Sequence, residues 1–438
     1  MDITIPLGAE RMPLTIPLPS EAIVVAESRN PAGSGTWGEV VAATLKEEPL
    51  GARPIREEDL RGRKVAVITD DWGRPTPAYE AIPTILGELK AAGAADADIT
   101  FVTASGMHDP MSREDLVRKL GAATVAKYRC ISHDAGDRSI LAFVGITQGG
   151  TPVWANRWVV GADYVVAMGR IHPHETHGYE GGYKMILPGV SGFDTIDRDH
   201  SMNFSPTSIT GVVRGNPSRE ETDAVGRMVG IDFLVNVVMN AKSEPIKGFA
   251  GEPMQVFHRG VEYGDCNVWG AETGAPADIA VVSPGNGPVP DGYGLEVIWR
   301  AARVTKEGGT IICVAAREMP FDEPEGTAEA DDGMLALGTE DLRKALRTLS
   351  FAEVVRLHDR RRWPLDDRAI QWRLKDTRGE YYRRRRVHEV IRRRIVITPD
   401  PGAALRDALA TIGPSPRVVV IPEGRTTFPK LCLFRAEG

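Results

Sequence analysis

The sequence predicts an α/β protein of two domains, each built on a mainly parallel sheet. Three observations carry that reading. Short apolar runs of strand length give way to a loop and then to a helix-patterned segment, the pattern of strands running the same way with helices packed on their faces. The pattern pauses at a stretch rich in Gly, Ala and Thr, Trp269 to Ala277, and then starts again. At 438 residues the chain is also long for a single core. The expected division is an N-terminal α/β domain over residues 1–270 and a C-terminal α/β domain over 275–438, whose last segment can pack back on the first.

In chain order, Ile3 to Leu7 alternates like a strand, Ala22 to Ala26 is a second short run, and Pro31 to Gly38 is an irregular lead-in. Lys64 to Thr69 is a buried-type strand, followed by the loop Asp70-Asp71-Trp72-Gly73-Arg74-Pro75-Thr76-Pro77 and a helix from about Tyr79 to Ala92. Asp98 to Val102 repeats the unit. Its loop carries Gly106 and His108, and Ser112 opens the next helix with Asp115 at the capping-box spacing. The third run, Ala162 to Met168, leads into His172-Pro-His-Glu-Thr-His-Gly-Tyr-Glu-Gly-Gly-Tyr-Lys184. Reactive side chains thus emerge at the carboxyl ends of three strands, where open α/β sheets place their ligands. Two further strands are expected at 231–237 and 245–250. The second domain then reads as a strand (Asp278 to Ser283), a glycine-proline loop ending at Asp291, a helix (Gly294 to Val304) and a strand (Gly309 to Ala315). Helices at Glu340 to Thr348 and Ala403 to Ala410 and strands at Ile395 to Thr398 and Arg417 to Ile421 complete it.

The histidine stretch is the densest collection of reactive groups in the chain. His172, His174 and His177 supply imidazoles that carry protons near neutral pH or hold a metal. As HxHxxH they also suit a zinc or iron hydrolase site. Gly178, Gly181 and Gly182 permit positive φ and a close approach of backbone to a ligand. Lys184 reads as a covalent attachment point or as a phosphate-facing cation. Asp71 and Arg74 read as an anion-binding pair or as an ordinary strand-end turn. His108 and His200 are each either functional or satisfied surface histidines.

Composition excludes several classes. Hydrophobic residues make up 42% and charged residues 26%, as in soluble globular proteins, and no apolar run reaches membrane-span length. The start shows neither the basic segment nor the apolar core of a signal peptide, so the expectation is cytoplasmic. Four scattered cysteines suggest no disulfide framework or zinc knuckle. A net charge of −7 argues against binding nucleic acid or anionic membrane. Arg383 to Arg386 and Arg392 to Arg394, on a helix-like stretch with Val387, Val390 and Ile391, read as a solvated basic face.

Five motifs then follow one another in a fixed order: Asp71-x-x-Arg74-Pro-x-Pro77; Gly106-x-His108; Pro173-His174 followed by Gly178-x-x-Gly181-Gly182-x-Lys184; Leu187-Pro-Gly189; and His200. Together they resemble the nickel-dependent lactate racemase family. The resemblance is strong over roughly residues 60 to 205 and weaker, mainly in βαβ layout and the Pro422-Glu-Gly ending, over the remainder.

The resemblance implies two α/β domains enclosing a central cleft and a nickel-pincer nucleotide, a pyridinium mononucleotide holding nickel through two sulfurs and one ring carbon. It implies that Lys184 joins the cofactor through a thioamide and that His200 is the protein's nickel ligand. His108 and His174 become the acid/base groups on opposite faces of the substrate, with Asp71 and Arg74 holding cofactor and substrate. The implied partners are a small-molecule 2-hydroxy acid and cofactor-biosynthesis proteins. The chemistry is coherent, because the Cα of a 2-hydroxy acid is a weak carbon acid and hydride removal avoids a carbanion. A histidine takes the hydroxyl proton, the hydride leaves to the cofactor, and a planar 2-keto acid remains.

The chain also departs from the family. The loop from Gly285 to Asp291 has no lysine where lactate racemases carry one that contacts substrate, and His177 and Glu180 stand where smaller or less polar residues are usual. His177 is therefore placed with Arg74 at the substrate. The expected activity is a racemase or epimerase of a 2-hydroxy acid larger or more polar than lactate, such as a sugar acid or a hydroxy diacid. The rival expectations are a related redox step, the zinc or iron hydrolase on His172, His174 and His177, and a non-catalytic nickel- or nucleotide-binding protein.

Overall fold

The computed structural model describes residues 1–7, 10–203, 205, 207–284, 292–314, 393–413 and 415–431. The chain divides into two compact units, one formed by Arg29–Trp269 and the other by Met1–Ser28 with the described residues from Gly270 onward. Both are mixed α/β with mainly parallel sheets. The expectation that residues 1–270 form one unit is corrected for Met1–Ser28. Ile23–Val25 is an apolar strand that pairs in parallel with Val418–Ile421, at the edge of the other unit's sheet. Nothing local in three apolar residues says which sheet edge they will join.

The unit of Arg29–Trp269 is organised on six strands in the order Pro245–Gly251, Phe233–Met239, Tyr164–Ile171, Val65–Asp70, Ile99–Ala104, Arg129–Ser132. All neighbours run parallel except Pro245–Gly251, which returns antiparallel on Phe233–Met239. Val65–Asp70 lies at the middle and is buried along its whole length. Alternate side chains of a strand point to opposite faces. Accordingly Val65 and Val67 enter one core with Ile82, Ile85 and Leu89 of the helix Ala78–Ala91, whereas Ala66 and Ile68 enter a second core with Ile186, Leu187 and Val256. Each such aliphatic side chain contributes roughly 2 kcal/mol by leaving water. Burial on both faces is why the run reads as continuously apolar.

The helix Arg113–Leu120 begins at Ser112, whose hydroxyl accepts the Asp115 N–H while the Asp115 carboxylate accepts the Ser112 N–H. Elements beyond the sequence expectation include the helix Trp37–Thr44 in the stretch read as irregular, the antiparallel hairpin Leu141–Ile146 with Pro152–Asn156, and the helices Phe193–Met202, Pro217–Val229 and Pro253–Asn267. The last two open with Pro at the first turn, where a missing N–H costs nothing.

The other unit carries five parallel strands in the order Arg394–Thr398, Thr305–Val314, Ala277–Val282, Val418–Ile421, Ile23–Val25. Ala280, Val282 and Ile311 face one core, Ile279, Val281 and Ile312 the other. The presumed linker contains a strand, Gly270–Glu272, paired in parallel with Phe428–Lys430. Of the arginine-rich stretch, Arg393 and Arg394 are described and are not helical. Arg394 opens a strand and Arg393 donates from Nε and Nη2 to the Thr305 carbonyl at 3.0 and 2.6 Å. The rest of that stretch, the loop 285–291 and the helix expected at Glu340 to Thr348 lie outside the described residues. No described helix is long and apolar enough to cross a membrane.

Candidate active site

All the singled-out site residues lie in the Arg29–Trp269 unit, on loops leaving the carboxyl ends of its three central strands and on the helix Phe193–Met202. Asp71 follows the Val65–Asp70 strand directly. Its Oδ1 accepts the Gly73 N–H at 3.2 Å, and its Oδ2 stands 2.5 Å from Nδ1 of His108. Asp71 is therefore the orienting partner of His108, where the sequence reading set it on cofactor. With its hydrogen held on Nδ1, the His108 ring carries a lone pair on Nε2 and is poised as a base. The His108 loop is tied to the Leu187-Pro188-Gly189 segment, because the Gly106 N–H donates to the Gly189 carbonyl at 2.9 Å.

The Asp71 loop has an anchor that sequence reading passed over. Lys119 of the helix Arg113–Leu120 is buried and sets Nζ 2.7 Å from both Asp70 Oδ1 and Thr76 Oγ1, and 2.8 Å from the Thr76 carbonyl. Its signal was present, since Leu116, Lys119 and Leu120 share the helix's inward face. A lysine at an apolar-face position needs a buried acceptor.

The histidine stretch forms a two-residue hairpin in which His174 faces Gly178. Its glycines are required by the protein's own packing. A Cβ on Gly178 (φ +73°) would lie 2.1 Å from the Val212 carbonyl oxygen, and one on Gly182 (φ +61°) 2.7 Å from Arg219 Nη2. Arg219 is itself buried. It pairs with Asp223 at 2.7 Å, donates to the Gly181 carbonyl at 3.2 Å and stacks on Phe257 at 3.7 Å. In sequence, Arg219 and Asp223 look like an ordinary exposed pair one helical turn apart.

The three histidines do not converge on one point. His172 turns to Trp269, with ring centroids 6.0 Å apart, and its Nδ1–H donates to the Pro173 carbonyl. His174, His177 and His200 instead form a row, with ring centroids 5.2 and 6.3 Å apart. His177 is 1% exposed, and its two nitrogens meet Asp199 Oδ2 and Thr176 Oγ1, each at 2.8 Å. No ring nitrogen is left for a substrate, so its expected role there is not supported by this geometry. Among the described residues no group of three His, Cys, Asp or Glu side chains is arranged to hold a metal. The hydrolase reading, which needs His172, His174 and His177 together, is not favoured.

Charge is concentrated on this hairpin. Glu180 takes Arg74 Nε on one oxygen at 2.9 Å and Arg170 Nε on the other at 2.6 Å. Burial would raise the Glu180 carboxyl, but Arg170 and Arg74 outweigh it and hold it below the ordinary range. Burial lowers His174 well below a normal histidine, with Lys184 adding repulsion, so the ring is neutral. Its Nδ1 accepts the Thr176 and His177 N–H groups at 3.3 Å, which leaves its hydrogen on Nε2.

Lys184 follows the Gly181–Gly182 turn. Among the described residues its Nζ makes no hydrogen bond or ion pair, and burial lowers its pKa toward neutrality. A neutral amine is the nucleophilic form. His200 donates Nδ1–H to the Ile196 carbonyl at 2.8 Å, one turn back in its helix, so its lone pair lies on Nε2. That is how a backbone carbonyl fixes a metal-binding imidazole.

Residues 7–211, which contain every site residue singled out in the sequence, match the lactate racemase N-terminal domain family. Over this part the chain is similar to the lactate racemases. Its relatives include the lactate racemase of Thermoanaerobacterium thermosaccharolyticum, 27% identical over 72% of this chain and 74% of that protein. The lactate racemase of Lactiplantibacillus plantarum is 31% identical over 61% of this chain and 64% of that protein. The solved structure of the lactate racemase apoprotein from T. thermosaccharolyticum shares the fold, with a TM-score of 0.68 at 22% identity, over 98% of this chain and all of that one. The likeness is to racemases, and the hydrolase is not favoured by it.

Proposed function

We propose that this chain is a racemase or epimerase acting at C2 of a 2-hydroxy acid, and that it carries a nickel-pincer nucleotide. The observation that carries the reading is the Lys184 amine, part-buried and without a hydrogen bond or ion pair among the described residues, on the same loop as His174. Lys184 fits the attachment, because a neutral amine in a water-poor turn is the form that makes a covalent bond. His200 fits a metal through Nε2. When bound, the nucleotide supplies a reversible acceptor for hydride from C2.

The protein's own part is positioning and proton handling. Arg74 holds the substrate carboxylate, and the planar fork of a guanidinium fixes the carboxylate plane. His108 takes the hydroxyl proton on Nε2 while Asp71 stabilises the resulting imidazolium. The 2-keto acid that remains is planar at C2. When hydrogen returns on the other face, His174, neutral at rest, gives the oxygen a proton that it has taken up from solvent, while His108 releases its own to solvent, so that the protons balance. His177, braced by Asp199 and Thr176, positions the row of histidines. A substrate larger or more polar than lactate suits the charged Glu180.

The test is to express the chain with cofactor-making proteins and give it single enantiomers of 2-hydroxy acids deuterated at C2. We expect loss of optical rotation with deuterium retained at C2. Inversion with deuterium lost to water would mean Cα deprotonation and would refute hydride transfer.

A further inference from the structure

Asn216 has no part in the reading above. It is fully buried and opens the helix Pro217–Val229, where its Oδ1 accepts the Arg219 N–H at 3.2 Å. A cap needs nothing more, and Ser or Asp serves as well. Its Nδ2, however, donates twice away from the helix, to the Thr176 carbonyl at 2.9 Å and the Val212 carbonyl at 3.0 Å. The amide hydrogens thus hold the histidine hairpin and the segment tied to it by the Gly211 N–H and the Gly178 carbonyl. A carbonyl and two N–H donors on one side chain are found only in Asn and Gln.

The Thr176 carbonyl and the His177 N–H belong to one planar peptide group, and in a trans peptide they point in opposite directions. Holding the carbonyl therefore aims the N–H. The His177 and Thr176 N–H groups both point at Nδ1 of His174, each at 3.3 Å. The Thr176 hydroxyl stands farther off, at 3.5 Å, and lies 2.8 Å from Nδ1 of His177, whose Nε2 meets Asp199 Oδ2 at 2.8 Å. Its hydrogen is drawn to His177. Burial keeps His174 neutral. A neutral imidazole has two tautomers, and N–H groups aimed at Nδ1 select the one with hydrogen on Nε2.

We propose that Asn216 is a positioning residue for His174: by holding the Thr176–His177 peptide it keeps two N–H groups on Nδ1 and the ring hydrogen on Nε2. A neutral imidazole fixed in this way gives a hydrogen bond to an oxygen that gathers charge. The consequence for turnover rests on the racemase reading, in which that oxygen is the one on C2 of the substrate. The tautomer itself does not depend on that reading.

The first measurement needs no cofactor. Nitrogen NMR of apoprotein with isotope-labelled histidine reports which ring nitrogen carries hydrogen, and the His174 signals are those missing from His174→Gln. In the wild type we expect hydrogen on Nε2. Asn216→Ser keeps the cap and removes both donors, and should raise the share of the other tautomer on the order of 10-fold, the factor that one hydrogen bond of ordinary net strength corresponds to. Asn216→Asp, matched in size and equally able to cap, should act in the same direction. Hydrogen on Nδ1 in the wild type would overturn the proposal even if neither variant folds. Spectra of folded variants identical to the wild type's would overturn it too.

The second measurement uses cofactor-loaded protein and counts turnover per nickel-bearing chain. Asn216→Ser should lower kcat on the order of 10-fold, with KM within about twofold of the wild type. A residue that merely held the fold would reduce the loaded fraction and leave kcat per loaded chain unchanged, and that result would overturn the positioning role. A tautomer shift in the variant, with no inversion of any 2-hydroxy acid by nickel-bearing wild type, would support the positioning role and refute the racemase reading.

Discussion

The carboxylate of Asp71 meets Nδ1 of His108 at 2.5 Å, and this contact determines which nitrogen of the histidine is free to take a proton. The two residues are 37 apart in sequence and belong to loops after adjacent parallel strands. Asp71→Asn keeps the shape but loses the charge that stabilises the imidazolium. We expect kcat for inversion to fall on the order of 100-fold or more, with KM changed much less and the thermal midpoint within a few degrees. Unchanged kcat would remove His108 from the proton-transfer step.

Lys119 is the hidden support of that loop. Lys119→Met leaves Asp70 buried without its cation, and such a break costs about 3–5 kcal/mol. Adding Asp70→Asn should recover part of the loss, because the two residues act as one unit. Urea denaturation of the two single variants and the double variant measures it, and additive losses would argue against the pairing.

Much of this was legible in the sequence, and the reasons for success and failure are physical. Strands such as Val65–Asp70 announce themselves because burial on both faces demands an unbroken apolar run, and the Ser112 cap is a local exchange over three residues. The histidine stretch could be placed at a strand's carboxyl end for the same reason. What was not legible is long-range. His177 looked available until Asp199, 22 residues away, was found on its Nε2. Ile23–Val25 gave no sign of joining a strand almost 400 residues later, since backbone pairing carries little sequence code. The need for glycine was legible, but the close approach to Val212 and Arg219 that requires it at Gly178 and Gly182 was not.

That close approach separates two kinds of glycine. Gly230 has φ +92° and open space around its missing Cβ, so Gly230→Ala should cost about 1–2 kcal/mol from backbone strain alone. Gly178→Ala adds a collision with the Val212 carbonyl and should cost clearly more, enough to reduce the yield of folded protein. Equal costs in chemical denaturation would show that the hairpin gives way more easily than its packing implies.

His133 gives a pH dependence of defined sign. Burial lowers it to about 4, while its ring is held by the Ser191 carbonyl and Asn156. Its unfolded value lies near 6.5, so between those limits the unfolded chain binds more protons than the folded one. Stability from this residue is complete above about pH 6.5 and declines as pH falls toward 4, by a few kcal/mol at most. The slope of unfolding free energy against pH across that window should be smaller for His133→Gln than for the wild type. Identical slopes would refute it.

The central claim is that Lys184 carries the cofactor and His200 its metal. It is tested most directly by intact mass and metal content of the chain expressed with cofactor-making proteins, beside Lys184→Ala. We expect nickel together with an added nucleotide mass in the wild type, and no added mass in the variant. Zinc or iron with an unmodified Lys184 would contradict the claim.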